Sequence, residues 1–384
     1  MFLVLVAAAA LLAWLAVLLS PWQPHRTRER LEADPSAPRD LQDVGVLIPA
    51  RDEAAVIART LAALRGQGRG LEVIVVDDQS TDDTAAICAR IAAETWDAFD
   101  VRVLAGTALP NGWAGKLWAL EQGLKLVRRP YALLLDADIE LAPGTVPALR
   151  RVAAQRGAAL VSVMAELHCE TLAEKLLTPA FVFFFKLLYP FALANDPHRR
   201  TAAAAGGCML VRTDDVRALG GFAAIRGALI DDCELAAALK RKGAATWLGM
   251  SHSVRSLRAY GLRDFWRTVR RSAFTQLRYS ALRLLAVTAA MLVTLLAPPV
   301  VLSSLLLASA AGTWQIGAAT AALSWLAMSA AYWPIVRFYR LSPAWTLTLP
   351  AAGALFLAMT WDSALAYWRG TRATWKNRSY ASPP

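Results

Sequence analysis

Apolar residues in this chain of 384 residues follow two different patterns. Towards both ends they form long continuous runs, at residues 2–20, 284–311, 314–336 and 345–368. A helix needs roughly 20 apolar residues to cross the hydrocarbon core of a bilayer, and each run is about that long or longer. Between the terminal runs, apolar residues fall mostly into shorter clusters. The pattern predicts membrane segments at both ends and a folded domain between them.

Strand-like and helix-like segments alternate about four times in the first part of the central region. Short apolar runs typical of strands lie at 44–49, 71–76, 101–104 and 131–135, and the segments that follow them favour helices. This alternation predicts an α/β domain with a mostly parallel, doubly wound sheet. Open sheets of this kind bind their ligands in the crevice at the carboxyl ends of the strands.

The chain therefore divides into five segments. We expect an N-terminal transmembrane helix (1–21), a linker (22–42), an α/β domain (43–283), a C-terminal transmembrane region of about three apolar segments (284–368) and a basic tail (369–384). Within the domain, residues 176–194 are rich in phenylalanine and tyrosine, which suits a helix lying in the membrane interface. A buried core helix is the alternative for this stretch.

Basic residues set the expected orientation in the membrane. Arg26, Arg28 and Arg30 follow the first apolar run, and the positive-inside rule places such a flank in the cytoplasm. We therefore expect a multi-pass protein of a bacterial-type inner membrane with a cytoplasmic domain. Three full C-terminal spans would put the basic tail on the opposite side. A broken or re-entrant element at Pro298-Pro299 would resolve that conflict.

Composition supports the membrane interpretation and narrows the partners. Hydrophobic residues make up 56% of the chain, charged residues 18%, and the mean hydropathy is +0.37. The net charge of +11 suits nucleic acid, an anionic membrane surface or an anionic substrate. The sequence has no zinc-finger, RNA-binding or helix-turn-helix pattern, so a nucleic-acid partner is not expected. The four cysteines lack metal-ligand spacing and are expected to be free thiols.

Two acids follow the leucines that end the fourth predicted strand, in Leu133-Leu134-Leu135-Asp136-Ala137-Asp138-Ile139. Residues i and i+2 of a strand point to the same side, so the two carboxylates are expected to project together. Two close carboxylates repel unless a cation lies between them, and oxygen ligands suit Mg²⁺ or Mn²⁺. The alternative for the isolated motif is a solvated turn.

Further polar motifs follow the other predicted elements in order. Pro49-Ala50-Arg51-Asp52-Glu53 follows the first strand, Asp77-Asp78 follows the second, Lys116 lies in Gly-Lys-Leu-Trp-Ala, Gly206-Gly207 precedes a further strand, Asp231-Asp232 opens a helix, and Gln276-Leu277-Arg278-Tyr279 precedes the C-terminal apolar runs. The two glycines leave room for a close approach of the backbone. Each of these motifs alone is weak evidence of function. Their order resembles the family 2 glycosyltransferases of the GT-A fold, over roughly residues 43–283.

The resemblance implies a nucleotide-sugar site. Asp78 would contact the uracil ring of a UDP-sugar donor and Lys116 would lie near the nucleotide, in the site lined by Pro49 and Glu53. A divalent cation, Mg²⁺ or Mn²⁺, would be held by Asp138 with Asp136, and Asp136 would face the ribose or the outer ligands of the metal. Asp52 stands where the family usually has asparagine, which leaves its role open.

The resemblance also implies the residues that act on the acceptor. Asp232 matches the catalytic base, which removes a proton from the acceptor hydroxyl, and Asp231 stands where glutamate is common. In-line attack would invert the anomeric centre. Gln276, Arg278 and Tyr279 resemble a Gln-x-x-Arg-Trp segment with one residue missing and tyrosine for tryptophan. Arg278 would bind the diphosphate and Tyr279 would stack on the acceptor; a basic helix that binds lipid headgroups is the alternative.

More narrowly, four segments resemble the hopanoid biosynthesis-associated glycosyltransferases and, more loosely, the ceramide glucosyltransferases. They are Leu133–Ile139, Gly207–Arg212, Ile230–Leu235 and Phe274–Tyr279. This resemblance implies a lipid acceptor, in agreement with the apolar runs. The alternatives are a processive polysaccharide synthase and a non-catalytic membrane scaffold. About three C-terminal spans offer little for a polymer channel, and acids at every expected position disfavour a scaffold.

Overall fold

The computed structural model describes residues 1–94, 99–307, 314–370, 374–375 and 378–379. As far as they are described, these residues form two compact units. The first, the helical unit, takes residues 1–28, 169–190 and 260–372. The second, the sheet unit, takes residues 29–168, 191–259 and 373–384.

Eight strands form the central sheet of the sheet unit. They are β1 Val44–Ala50, β2 Leu71–Asp77, β3 Phe99–Ala105, β4 Tyr131–Leu135, β5 Ile139–Leu141, β6 Ala158–Glu166, β7 Cys208–Arg212 and β8 Ala245–Ser256. Their order is β3-β2-β1-β4-β7-β6-β8-β5. Strands β1 to β4 are mutually parallel and β6 is parallel to β8, whereas β7 and β5 run antiparallel to their neighbours. The expected mostly parallel sheet is confirmed.

The helices alternate with these strands and continue into the helical unit. They are α1 Phe2–Leu19, α2 Ile57–Leu64, α3 Thr84–Ala93, α4 Gly115–Leu124, α5 Thr145–Arg156, α6 Leu172–Leu188, α7 Phe191–Ala194, α8 Thr213–Ala218, α9 Asp231–Arg241, α10 Leu262–Gln276, α11 Ala281–Met291, α12 Ala297–Leu307, α13 Trp314–Phe338 and α14 Leu349–Trp368. Two 3₁₀ helices, Gly221–Ile225 and Pro343–Thr348, a π-helical turn, Leu292–Leu296, and a short antiparallel pair, β9 Thr374–Trp375 and β10 Arg378–Ser379, complete the described elements.

Both faces of the sheet are covered by apolar side chains, which explains why its strands are continuous apolar runs. On β1, Val46 and Ile48 belong to one buried cluster, which also contains residues of α2, α3 and α5. Leu47, between them, belongs to a second buried cluster with residues of α4, α8 and α9. The two clusters fix the strand register, so the carboxyl ends of the parallel strands are placed by packing.

In the part of the chain that the structure describes, four helical stretches are long and apolar enough to cross a membrane: Phe2–Leu19, Ala281–Ser304, Gln315–Phe338 and Pro343–Trp368. The helix is not broken at Pro298-Pro299, and a re-entrant course in the membrane stays a hypothesis. Helix α11, the π-helical turn and α12 follow one another without a gap from Ala281 to Leu307. A wider π turn accommodates prolines, which lack the N–H for the regular helical bond.

The aromatic stretch predicted at 176–194 is mostly helix α6, followed by the short α7. Inside the helical unit, the ring of Phe183 lies 5.2 Å from that of Tyr332 on α13, and the ring of Phe184 lies 5.3 Å from that of Phe356 on α14. Phe183 is fully buried. Aromatic packing against helices thus accounts for part of this composition, and a position in the membrane interface stays a prediction.

Candidate active site

The site is built where the parallel strands end. The loops after β1 and β2 lie side by side, since the Asp78 N–H donates to the Ala50 oxygen at 2.8 Å. The turn after β4 is adjacent because β1 and β4 are paired. Strand β4 ends at Leu135, so Asp136 and Asp138 lie in a turn, in contrast to the strand geometry expected for them. The Asp136 N–H donates to the Gly207 oxygen at 3.0 Å and anchors this turn.

Lys116 joins two of the predicted acids. From the first turn of α4, its Nζ lies 2.7 Å from Asp136 Oδ1 and 3.6 Å from Asp231 Oδ2, and it donates to the Gly206 oxygen at 3.4 Å. Burial opposes the charge on the lysine, but Asp136 and Asp231 outweigh it and raise the pKa of Lys116. The lysine is therefore a fixed positive charge between the turn after β4 and the start of α9.

Asp232 is a carboxylate with a raised pKa. It lies in the first turn of α9 and accepts from the backbone N–H of Cys233 at 2.7 Å. Burial, reinforced by the neighbouring charge of Asp231, raises the pKa of Asp232 to about 6. A pKa in this range suits a general base at neutral pH, because the group is ionised but still basic. Burial raises the pKa of Asp136 to about 6 as well, against the opposing effect of Lys116.

Gly206 lies close to the charged groups of Lys116 and Asp232, which leave little room for a side chain. A Cβ atom at this position would lie 3.2 Å from Asp232 Oδ2 and 3.3 Å from Lys116 Nζ. The expected close approach of the backbone at the glycines before β7 is therefore present, because any side chain would crowd the charged groups of Lys116 and Asp232.

The second acid of the pair has different partners. Asp138 is bound by Arg258, whose Nε lies 3.0 Å from Asp138 Oδ2, and the Ser256 hydroxyl donates to the same oxygen at 3.4 Å. The Arg258 Nη2 also lies 2.7 Å from Glu53 Oε1. Sequence reasoning missed Arg258, since it belongs to none of the motifs and lies 120 residues from Asp138.

The remaining predicted nucleotide-site residues lie at the end of β1 and in the loops after β1 and β2. Asp78 is 1% exposed, and Pro49 pairs with Val76 within the sheet. Asp52, whose role the sequence left open, has a left-handed backbone with φ of 51° and accepts from the Thr81 N–H at 2.7 Å. Aspartate and asparagine tolerate this conformation best among residues with a side chain. Asp52 therefore holds the two loops together.

Gln276, Arg278 and Tyr279 lie in the helical unit, at the end of α10 and in the turn before α11. Arg278 and Tyr279 both have left-handed backbones, with φ of 51° and 54°. Tyr279 stacks on Tyr367 with ring centroids 4.5 Å apart, and Gln276 donates to the Tyr189 hydroxyl. One face of the Tyr279 ring is thus already covered. A joint action of these residues with the acids of the sheet unit stays a prediction.

The residues of the turn after β4 suit a divalent cation in their chemistry. Within the described residues no group of three or more histidine, cysteine or acidic side chains is arranged to hold a metal. Asp136 and Asp138 supply two carboxylates, and Mg²⁺ commonly binds one or two carboxylates while the substrate phosphates and water supply its other ligands. This donor set fits a cation that arrives with a diphosphate.

The fold of this chain is found among solved structures. The chain resembles the mannosyltransferase PcManGT from Pyrobaculum calidifontis, solved in complex with GDP-Man and Mn²⁺, with a TM-score of 0.52. The match covers 94% of this chain and 99% of that chain at 17% identity. The fold is GT-A, the fold class expected from the sequence, with helices long and apolar enough to span a membrane at both ends.

Residues 45–220 match the family model described as Glycosyl transferase family 2. The chain is 33% identical over 101 residues to the 4,4'-diaponeurosporenoate glycosyltransferase of Staphylococcus haemolyticus and 32% identical over 120 residues to the undecaprenyl-phosphate 4-deoxy-4-formamido-L-arabinose transferase of Pectobacterium carotovorum. These matches cover 26% and 30% of this chain, and only 25% and 35% of the relatives. A third relative, the beta-monoglucosyldiacylglycerol synthase of Nostoc, is 37% identical over 102 residues, which are 26% of this chain and 21% of that protein.

Proposed function

We propose that this chain is a membrane-bound, metal-dependent, inverting hexosyltransferase of family 2, which transfers a sugar from a UDP-sugar to a lipid acceptor. The observation that carries the proposal is the cluster in which Lys116 links Asp136 to Asp231, beside Asp232. It brings a fixed positive charge and a carboxylate of raised pKa together at the ligand-binding edge of the sheet. The family match over residues 45–220 supports the reaction class.

In the proposed reaction Asp232 acts on the acceptor. Its carboxylate takes the proton from the acceptor hydroxyl as the hydroxyl oxygen attacks the anomeric carbon. The bond from that carbon to the diphosphate breaks as the new bond forms on the opposite face, so the anomeric configuration inverts. The bonding electrons leave with the diphosphate. Lys116 holds Asp231 and Asp136 in place and supplies positive charge close to the reacting groups.

The other predicted residues have binding roles in this proposal. Pro49, Glu53 and Asp78 line the nucleotide-sugar site, and Gln276, Arg278 and Tyr279 act on the diphosphate and the acceptor. Asp138 and Asp136 would hold Mg²⁺ or Mn²⁺, which when bound neutralises charge on the leaving diphosphate.

A lipid acceptor is supported by two independent observations. Four helical stretches among the described residues suit a membrane. The names of the curated relatives contain 4,4'-diaponeurosporenoate, undecaprenyl phosphate and monoglucosyldiacylglycerol. The resemblance of the motifs favours a hopanoid polyol as the acceptor. Arginines at positions 26, 28 and 30 follow α1. By the positive-inside rule they support a protein of the inner membrane whose sheet unit lies in the cytoplasm.

The test is UDP release by the purified chain in lipid nanodiscs, with candidate UDP-sugars, Mg²⁺ or Mn²⁺ and a hopanoid polyol. We expect UDP release that requires the lipid and one new glycosylated lipid per UDP, which mass spectrometry would identify. Asp232→Asn is the control and should reduce transfer. Long polymeric products would instead identify a polysaccharide synthase, and no release with any donor and acceptor would identify a scaffold.

Lipid profiling of a strain that lacks the gene tests the acceptor in the cell. We expect the loss of one glycosylated lipid. Its headgroup would identify the sugar, and its apolar part would identify the acceptor. Loss of a glycosylated lipid unrelated to hopanoids would support the proposed reaction class but contradict the proposal of a hopanoid acceptor.

A further inference from the structure

Arg258 joins two acids of the proposed donor site that come from distant parts of the chain. Its Nε lies 3.0 Å from Asp138 Oδ2, and its Nη2 lies 2.7 and 3.0 Å from the two carboxylate oxygens of Glu53. Glu53 follows β1 and Asp138 follows β4, and these two strands are parallel neighbours. The guanidinium therefore lies in the crevice at the carboxyl ends of the central strands, where sheets of this kind bind ligands.

The backbone beside Arg258 is held by a hydrogen bond, whereas the Arg258 side chain is partly exposed to solvent. The preceding residue, Leu257, lies just after the end of β8 and donates its N–H to the backbone oxygen of Asp138 at 2.7 Å. Residues 257–261 have no regular secondary structure. The side chain of Arg258 is 36% exposed, whereas those of Glu53 and Asp138 are each 12% exposed. The arginine side chain is therefore the most solvent-exposed of the three, and its contacts with the two acids are the ones that a ligand would have to replace.

The chemistry of the contact suits exchange with a diphosphate. A guanidinium binds two carboxylate oxygens and two phosphate oxygens with the same fork of N–H donors. Without a ligand, the single positive charge of Arg258 offsets part of the repulsion between Glu53 and Asp138. A donor that arrives with a divalent cation supplies both a new anion for the arginine and a new cation for Asp138.

We propose that Arg258 is a donor-binding residue. It holds Glu53 and Asp138 in the free protein and binds the donor diphosphate in the complex, which leaves Asp138 to the divalent cation. This role rests on the proposed function and adds to it a residue from outside the sequence motifs, contributed by the loop after β8.

The test compares the full-length protein in nanodiscs with three variants, Arg258→Met, Arg258→Lys and the matched control Arg255→Met. Arg255 lies three residues earlier, is 58% exposed at its side chain and pairs with Glu166, outside the proposed site. Calorimetry with UDP and Mn²⁺ measures binding without turnover, and the KM for the donor and kcat are measured in parallel. Thermal unfolding of each variant reports whether the fold is retained.

We expect Arg258→Met to weaken UDP binding by about tenfold to a hundredfold, as for the loss of charged hydrogen bonds, and to raise the donor KM similarly. Arg258→Lys should recover part of the affinity, because it keeps the charge but not the fork, and Arg255→Met should bind as the unaltered protein does. Unchanged UDP affinity in Arg258→Met, or a loss of thermal stability with unchanged affinity, would overturn the assignment. If the unaltered protein does not bind UDP in the presence of Mn²⁺, the proposed function itself fails.

Discussion

The raised pKa of Asp232 predicts a specific loss of activity in mild acid. The ordinary pKa of an aspartate is 3.8, and burial raises that of Asp232 to about 6. Only the ionised form accepts the proton of the acceptor hydroxyl. At pH 5 about a tenth of Asp232 would be ionised, against more than nine tenths for an ordinary aspartate. We therefore expect kcat at pH 5 to be about a tenth of its plateau above pH 7.

The assay is the rate of UDP release at saturating donor, acceptor and divalent cation between pH 4.5 and 8.5. The prediction takes the raised pKa of Asp232 to persist in the substrate complex, whose groups kcat reports. Saturation matters because kcat/KM reports the free protein instead, in which Asp136 has a raised pKa too. Asp232→Asn should reduce kcat by about a hundredfold or more and should abolish the acid limb of its pH profile. A flat profile down to pH 5, or an unchanged rate in Asp232→Asn, would refute this reasoning.

The same shift has a consequence for stability, with a definite sign. Because the pKa of Asp232 is higher in the folded state than in the unfolded state, the folded state binds the proton more tightly. The stability that the folded state gains from protonated Asp232 is fully present below about pH 4 and is lost as the pH rises through about 6. Asp232→Asn removes the buried charge, so it should raise the melting temperature at pH 8 while it lowers activity. A lower melting temperature at pH 8 would contradict this.

Three further predictions concern structure and metal. Lys240 Nζ lies 2.6 to 3.5 Å from four backbone oxygens of the segment 193–201 and can donate its three N–H groups among them. Lys240→Met should therefore destabilise the fold by about 1–3 kcal/mol in thermal unfolding, whereas Lys242→Met, at an exposed position, should have no effect. Asp52→Asn should retain activity and Asp52→Ala should lower both activity and stability, because alanine disfavours the left-handed backbone; equal behaviour of the two variants would argue against the loop-holding role. Removal of divalent cations with EDTA should abolish UDP release and added Mg²⁺ or Mn²⁺ should restore it, and full activity in EDTA would refute the role of Asp138.

The sequence was sufficient for the fold class because the packing that determines it is local and periodic. The strands at the predicted positions have buried apolar side chains on both faces, and a doubly covered parallel sheet requires such runs. The positions of Asp78 and Asp136 after strands followed from the same pattern. The glycine before β7 was also correctly interpreted as a close approach of the backbone.

Contacts between residues far apart in the chain could not be predicted from motifs. The bridge from Arg258 to Glu53 joins residues 205 positions apart, and nothing in the local sequence distinguishes Arg258 from the other arginines. The turn that gives Asp136 and Asp138 different partners depends on the neighbouring β7 segment, through the bond from Asp136 to Gly207. The π turn before Pro298 likewise depends on helix geometry rather than on composition.

The pairing of β5 with β8 has a consequence for the time at which the site can form during synthesis. The turn that holds Asp138 emerges from the ribosome 120 residues before Arg258, and β8, which pairs with both β5 and β6, is complete only at Ser256. At about 5–20 residues per second, the nascent chain has an unfinished sheet edge and an unpaired Asp138 for about 6 to 24 s. A nascent chain arrested before Arg258 would therefore carry the whole family-matched segment, 45–220, but not the completed site.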